Sequence, residues 1–387
     1  IPAYLAGRYV RDSGTRTAVS VGALITAVAL FASLVIMIHS FRSTVELWTD
    51  QTVSGDVFVT TKMGEINRFR DPIPRVVVDG LEEFNDQVDI VPTRRYFLRY
   101  NNFPYEFELL NIDVFLRHGD FVWLKGDPDQ VRTSLKHGKG VVISEVFSNR
   151  TGLTIDDRFR ARIESSLVEL PVLGIIRDYR TQGGVVFYSL SQFKTRYHDI
   201  QWGGFRIFFK DRTKNLETAV ASLQNEFIRR WGDTLEIISG HALRNTILRV
   251  FDETFAITTV LLLIALAIAA LGIATTLTVL VLERSKQLNT LYAIGADFGQ
   301  IRSMILWEAA FMVAAGELAG IICGFILSYI LVYVINRQSF GWTFLYEVDW
   351  GALAMSLPLI VLTALAAAYP AIKMVFRESP AKLLKEN

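Results

Sequence analysis

The side chains capable of chemistry are scattered along this chain and form no catalytic motif. Five histidines occur, and no two of them have the spacing of metal ligands on one helix: His39, His118, His137, His198 and His241. The acidic groups Asp127-Pro128-Asp129 and Asp156-Asp157 have the composition of turns. There is no G-x-x-x-x-G-K-S/T phosphate loop and no G-x-S-x-G nucleophile elbow. The residues therefore predict no enzyme activity, metal or cofactor in this chain by itself.

Composition points to a membrane protein with a large aqueous part. Of 387 residues, 51% are hydrophobic and 20% are charged, and the net charge is +1. This is too apolar for one soluble domain and too charged for a wholly embedded one. The near-zero net charge gives no basic face for nucleic acid. The single cysteine, Cys323, excludes a disulfide framework and a cysteine metal site within one chain.

Four apolar segments are long enough to cross a membrane, which takes roughly 20 residues. They lie at 18–38, 254–282, 303–334 and 350–375. Lysine and arginine concentrate in the flank 1–17, the connection 283–302 and the tail, which predicts a cytoplasmic position for all three. We expect the following division of the chain: a cytoplasmic amphipathic segment or simple basic flank 1–17, helix 18–42, an extracytoplasmic domain 43–250, a stalk end and helix 251–282, a cytoplasmic connection 283–302, helix 303–335, an outer loop 336–349, helix 350–375 and a cytoplasmic tail 376–387.

The inserted domain mixes strand-like and helix-like stretches without regular alternation, which predicts an α+β fold. Alternating apolar runs predict these strands: Val57–Thr60, Arg95–Tyr100, Tyr105–Leu110, Arg158–Ile163, Val168–Ile176, Val185–Ser189 and Phe205–Lys210. Helical spacing predicts helices at Pro74–Phe84, Glu145–Thr151 and Leu216–Trp231. The same spacing continues from His241 to Phe255 into the second span, as in a stiff stalk or merely a long helix.

The third span contains a carboxylate among glycines. Gly316, Gly320 and Gly324 recur every four residues, a spacing that lets another helix approach closely in lipid. Glu317 lies about 20 Å along its span from the predicted start, near the bilayer centre. A buried intramembrane acid is by default a candidate functional site. The alternative is a protonated carboxyl group that hydrogen bonds to Thr275 or Thr278.

The connection 283–302 has the pattern of a short helix lying at a membrane surface. Leu288, Leu291, Tyr292 and Ile294 recur at near-helical spacing, and Gly295 can take the left-handed conformation that ends a helix. Its apolar side is free to dock on a partner. An ordinary loop helix that seals the bundle has the same spacing.

The stretch ERSKQLNTLYAIGADFGQIRSMILWE, 283–308, resembles the signature of FtsX/MacB-like permeases of ABC transporters. In that family the segment is a coupling helix that rests on the ATP-binding subunit. The resemblance implies ATPase coupling through Glu283, Arg284, Leu291, Ala293, Ile294, Gly295, Ala296, Gln300 and Glu308. Residues 140–190 are similar to the extracytoplasmic core domain of MacB-like permeases. NRQSFGW at 336–342 and FDETF at 251–255 resemble larger permeases built from two such repeats, of which this chain would be the second half.

The resemblance implies a function and partners. The chain would be a permease subunit of the bacterial cytoplasmic membrane that exports or extracts a lipid, lipoprotein or amphipathic peptide. Its partners would be a dimeric ATPase that holds ATP and Mg²⁺, a second permease half or copy, and an extracytoplasmic lipoprotein or periplasmic protein. One alternative is a regulator that activates a partner such as a cell-wall hydrolase without moving cargo. A signalling receptor without an ATPase would lack the 283–308 signature.

Overall fold

The computed structural model describes residues 4, 7, 14–64, 66–69, 71–163, 166–197, 201–211, 215–283, 287–288, 290–291, 294–355, 358 and 362. The chain divides into two compact units. One, which we call the helical unit, comprises Ile1–Phe41, Asp252–Val334 and Tyr346–Asn387. The other, the sheet unit, comprises Arg42–Phe251 and Ile335–Leu345.

Long helices build the helical unit. Helix α1 spans Gly14–Gln51. Two further long helices appear later in the chain, Gly240–Glu283 and Phe298–Ile330. Within the described residues, Val21–Gln51 and Gly299–Phe340 are long and apolar enough to cross a membrane. The predicted span 254–282 falls inside the Gly240–Glu283 helix, whereas most of the predicted span 350–375 lies outside the described residues.

Ten strands and seven short helices make up most of the described part of the sheet unit. The strands are β1 Val57–Thr61, β2 Val88–Tyr100, β3 Phe103–Leu110, β4 Val122–Lys125, β5 Val141–Ser144, β6 Arg158–Ile163, β7 Ser166–Arg177, β8 Val185–Ser189, β9 Gly204–Phe209 and β10 Leu235–Ser239. The helices that follow α1 are α2 Arg75–Gly80, α3 Ile112–His118, α4 Pro128–Lys136, α5 Glu145–Thr151, α6 Leu190–Tyr197 and α7 Leu216–Trp231. Helix α8 is Gly240–Glu283, α9 is Phe298–Ile330 and α10 is Asn336–Phe340.

The strands form one mixed sheet in the order β10-β1-β9-β2-β3-β8-β5-β7-β4, and β6 pairs with β7 outside this path. Strands β3 and β8 are parallel, as are β5 and β7, and the other pairs are antiparallel. Alternation sends successive side chains to opposite faces, so Phe107 and Leu110 of β3 enter different core clusters. Helix α7 covers a third cluster through Leu223 and Phe227. Burial on both faces fixes the register of the sheet.

Some local predictions differ from the structure, and some elements were not predicted. The helix expected at Pro74–Phe84 is divided into α2 and a 3-10 turn, Leu81–Phe84. Asp127-Pro128-Asp129 begins helix α4, because the Asp127 carboxylate caps the Asp129 N–H at 3.1 Å and proline occupies the first turn. Strands β4, β5 and β10 and helices α3, α4 and α6 were not among the predicted elements.

Candidate functional site

The segment after α8 contains a helical turn that ends at Gly295. The Ile294 N–H donates to the Thr290 carbonyl and the Ala296 N–H to the Leu291 carbonyl, both at 3.0 Å. The second bond spans five residues, which is the closing bond of a Schellman motif. Gly295 has φ +105°, a value that favours glycine. The predicted helix end is therefore present, while the coupling residues Arg284 and Ala293 lie outside the described residues.

Gln300 has a local partner. Asp297 is the N-cap of α9, and its carboxylate accepts from the Gly299 N–H at 3.0 Å. In return the Gln300 side chain accepts from the Asp297 N–H at 3.3 Å, which completes a capping box. The D-x-x-Q spacing that produces this motif is visible in the sequence. Gln300 therefore has a structural role at the start of α9, apart from the contact with an ATPase that was predicted for it.

Exposure separates the remaining residues of the signature. Ile294 is 77% exposed, whereas Leu288 is 4% exposed and turned into the helical unit. Glu283 is exposed, and Leu291 and Ala296 are half-buried. Glu308 is buried inside the helical unit and is not offered to a partner at the surface. Among the described signature residues, Ile294 is the apolar side chain best placed to contact a docked protein.

The three glycines of α9 lie against α1. A Cβ atom at Gly316 would stand 2.5 Å from Leu24 Cδ2. At Gly320 it would stand 2.6 Å from Val28 Cβ, and at Gly324 2.7 Å from Ala32 Cβ. Real Cβ atoms do not approach so closely, so any larger residue would push the helices apart.

Glu317 follows the first of these glycines and is 2% exposed. Of the two threonines considered as its partners, Thr275 donates its hydroxyl proton to the Leu271 carbonyl of its own helix at 3.0 Å. That hydroxyl therefore does not donate to the Glu317 carboxylate.

A buried ionic cluster occupies one face of the sheet and was not predicted from the sequence. Arg180 Nη1 donates to Glu108 at 2.6 Å, and its Nε donates to Asp178 at 3.1 Å. Arg206 Nη2 donates to Glu108 at 3.5 Å, and Arg206 Nη1 donates to the Thr52 carbonyl at 2.7 Å. The cluster is completed by two further members at ion-pair distance: Arg95 and Glu106.

Burial and neighbouring charges shift the pKa values of Glu108, Glu106 and Arg206 within the cluster. Burial alone would raise the pKa of Glu108, but the guanidinium groups of Arg180, Arg95 and Arg206 outweigh burial and lower this pKa to about 2. For neighbouring Glu106, burial prevails over the same arginines and raises the pKa. Burial lowers the pKa of Arg206 to about 10 despite the attraction of Glu108. Each carboxylate already has guanidinium partners, so the arrangement holds strands together and resembles no catalytic site.

Within the described residues, no group of three or more histidine, cysteine, aspartate or glutamate side chains is placed to hold a metal ion.

Two solved structures are similar to about half of this chain. One is the periplasmic region of MacB from Actinobacillus actinomycetemcomitans, with 13% identity and a TM-score of 0.34 over 49% of this chain and 91% of that one. The other is the extracellular domain of the noncanonic ABC-type transporter YknZ from Gram-positive bacteria, with 10% identity and a TM-score of 0.32 over 48% of this chain and 99% of that one. Both TM-scores lie below 0.5, so neither likeness establishes a shared fold.

Similarity of sequence is more informative. An uncharacterised ABC transporter permease protein of Mycobacterium tuberculosis is 28% identical over 374 residues, which cover 96% of this chain. The chain spans less than half, 43%, of that relative's length. Residues 259–380 match the family model of the FtsX-like permease C-terminal domain, and this range contains the Ile294–Gly295 turn and the glycines of α9. Through this domain the chain is similar to the FtsX-like permeases of ABC transporters, and its described residues include two helices that are long and apolar enough to cross a membrane.

Proposed function

We propose that this chain is the membrane-spanning subunit, or half-subunit, of an ABC transporter that uses ATP hydrolysis by a separate ATPase subunit. The observation that carries the proposal is the exposed, apolar Ile294 at the glycine-closed turn inside the FtsX-like permease domain. Covering this side chain with a partner would remove its apolar surface from water, which favours association. ATP and Mg²⁺ bind to the partner, and this chain supplies the docking segment 283–302.

We place the chain in the bacterial cytoplasmic membrane with both termini and segment 283–302 in the cytoplasm. The support is the concentration of lysine and arginine in these regions, compared with one arginine set against two acidic residues in 336–349. The sheet unit is then extracytoplasmic.

Helix α8 is the element that we propose transmits motion from segment 283–302 to the sheet unit. It continues for 44 residues, about 66 Å at helical rise, from Gly240 to Glu283. Its first residue follows β10 directly, and β10 pairs with β1 along five residues. We propose that nucleotide-driven movement of segment 283–302 displaces this helix and that the sheet unit responds.

The cargo that we propose is a lipid, lipoprotein or amphipathic peptide, handled by two such units, either identical copies or two halves of a longer chain. Regulation of an extracytoplasmic hydrolase uses the same ATPase and the same helix. Reconstitution in vesicles separates the two: a transporter moves labelled cargo with ATP and the ATPase alone, whereas a regulator requires its hydrolase partner before any product forms.

Replacement of Ile294 by glutamate tests the docking step. The full chain is purified in mild detergent with a co-expressed candidate ATP-binding subunit, and the amount of ATPase retained is measured. Val76→Glu is the matched control, because Val76 is 68% exposed on α2 of the sheet unit. We expect the ATPase to be retained by the wild type and by Val76→Glu and lost from Ile294→Glu. Equal retention by all three would overturn the assignment of the docking segment.

A further inference from the structure

Residues 336–345, NRQSFGWTFL, form a strap that belongs to the sheet unit, although α9 before them belongs to the helical unit. The strap comprises α10, a left-handed turn at Gly341 with φ +82°, and the extended residues that follow. The Asn336 amide donates to the Trp342 carbonyl at 2.7 Å and closes the turn on itself. The strap thus has a defined internal structure.

Glu145 is the anchor of the strap. It begins α5, and its side chain is buried, with 5% exposure. The Thr343 N–H donates to Glu145 Oε2 at 2.9 Å, and the Thr343 hydroxyl donates to Oε1 at 2.9 Å. A buried carboxylate is costly unless hydrogen bonded, and here the strap supplies both donors. Burial raises the pKa of Glu145, although the Thr343 hydrogen bonds and nearby Arg177 and Arg337 favour the charged form.

A second set of contacts places the turn over α5. Asn149 Nδ2 donates to the Gly341 carbonyl at 2.8 Å, and Arg337 Nη2 donates to Asn149 Oδ1 at 2.9 Å. A Cβ atom at Gly341 would lie 3.5 Å from Val146 Cγ1. The strap therefore contacts two successive turns of α5, at Glu145 and at Asn149.

Two contacts outside α5 complete the docking. The Tyr179 hydroxyl donates to the Thr343 carbonyl at 3.2 Å, and the Tyr179 and Trp342 rings lie 4.4 Å apart. The Leu345 N–H donates to the Thr44 hydroxyl of α1 at 2.9 Å. Thr343 thus has its amide, hydroxyl and carbonyl groups all engaged by the sheet unit.

We propose that residues 336–345 are a docking strap, anchored by Glu145, that must stay bound to α5 for ATP hydrolysis to move the sheet unit. The inference rests on the proposed function for its consequence, while the docking itself rests on the contacts above. Along the chain, α1 and α8 each run from one unit into the other, and the strap is the part of the sheet unit that follows α9. Glu145 acts as a positioning residue and touches no cargo.

Hydrogen exchange on the full chain in detergent tests the docking. Thr343→Val removes the hydroxyl donor but keeps the side-chain shape and the amide, and Glu145→Ala removes the acceptor. We expect the amides of residues 341–345 to exchange roughly 10- to 100-fold faster in both variants than in the wild type, because each loses a bond to a buried charged group. Thr343→Ser retains both donors and should exchange like the wild type. Thr343→Val keeps the test decisive if Glu145→Ala does not fold. Equal rates in wild type and Thr343→Val would overturn the anchor.

The consequence is tested in the complex with the ATPase, with and without ATP and orthovanadate. We expect vanadate trapping to change exchange in the sheet unit of the wild type and not in Thr343→Val, although both retain the ATPase. A full vanadate response in the variant despite a released strap would overturn the requirement for docking. Failure of the wild type to retain any ATPase would instead contradict the proposed function, while the exchange comparison in the isolated chain would still decide whether the strap is anchored by Glu145.

Discussion

Removal of the Glu108 charge should strongly destabilise the sheet unit. Glu108 is fully buried and accepts hydrogen bonds from Arg180 at 2.6 Å and from Arg206 at 3.5 Å. In Glu108→Gln, two buried guanidinium groups lose their shared counter-charge. Breaking a buried pair in this way typically costs about 3–5 kcal/mol. Because Asp178 still accepts from Arg180, we expect the low end, about 3 kcal/mol, or a fall of roughly 150-fold in the ratio of folded to unfolded protein.

The assay is urea unfolding of the full chain in mild detergent, with hydrogen exchange of β2 and β3 as the local signal. Glu169→Gln is the matched control, because Glu169 accepts from Arg158 and Arg160 on an exposed strand surface. We expect Glu108→Gln to lower the urea midpoint clearly and Glu169→Gln to leave it unchanged, since exposed ion pairs contribute little. Identical midpoints for Glu108→Gln and the wild type would show that the buried cluster does not hold the sheet together as the geometry indicates.

Three further outcomes follow from the same structure. The pKa of Glu108 is about 2, compared with an ordinary 4.5, so its charge contributes fully to stability above pH 4.5 and loses this contribution as the pH falls towards 2. The free energy of unfolding of Glu108→Gln should lack this dependence on pH. Gly320→Leu should lower the melting temperature in detergent by overpacking against Val28, at about 1–3 kcal/mol. Gly22→Leu on α1 should not, because no atom of the described residues lies within 4 Å of a Cβ atom there. Gly295→Ala strains a backbone with φ +105° by about 1–2 kcal/mol and should weaken ATPase retention, whereas Gly152→Ala, at φ +77° in the sheet unit, should not.

Elements with local start and stop signals were predictable. Helix α5 runs between the Ser144 N-cap and the left-handed Gly152, and α7 begins after the Asn215 cap, so both were predicted with their observed bounds. Strand β5, VVIS, is buried at every position and only four residues long. It shows no alternation, and its pairing with β7 and β8 is long-range. Helices with cap residues are therefore easier to predict from the sequence than short, fully buried strands at the centre of the sheet.

The buried ionic cluster shows why part of the polar chemistry could not be predicted. Glu106 and Glu108 alternate with Tyr105, Phe107 and Leu109, which is the pattern of a strand with one face in water. Only the fold brings partners to this face, with Arg180 lying 72 residues from Glu108 and Arg206 lying 98. The strap is similarly hidden, since Thr343 and Glu145 are 198 residues apart. By contrast, the turn at Gly295 depends on neighbouring residues and was predictable.

Cross-linking from position 294 tests whether the ATPase docks on segment 283–302. The chain has one cysteine, so Cys323→Ala gives a cysteine-free background in a single step. Ile294→Cys and Val76→Cys then place single thiols at positions that are 77% and 68% exposed. With a short thiol-to-amine cross-linker, we expect an adduct with the ATP-binding subunit from position 294 and none from position 76. The absence of an adduct at 294 in a complex that still retains the ATPase would contradict docking through segment 283–302.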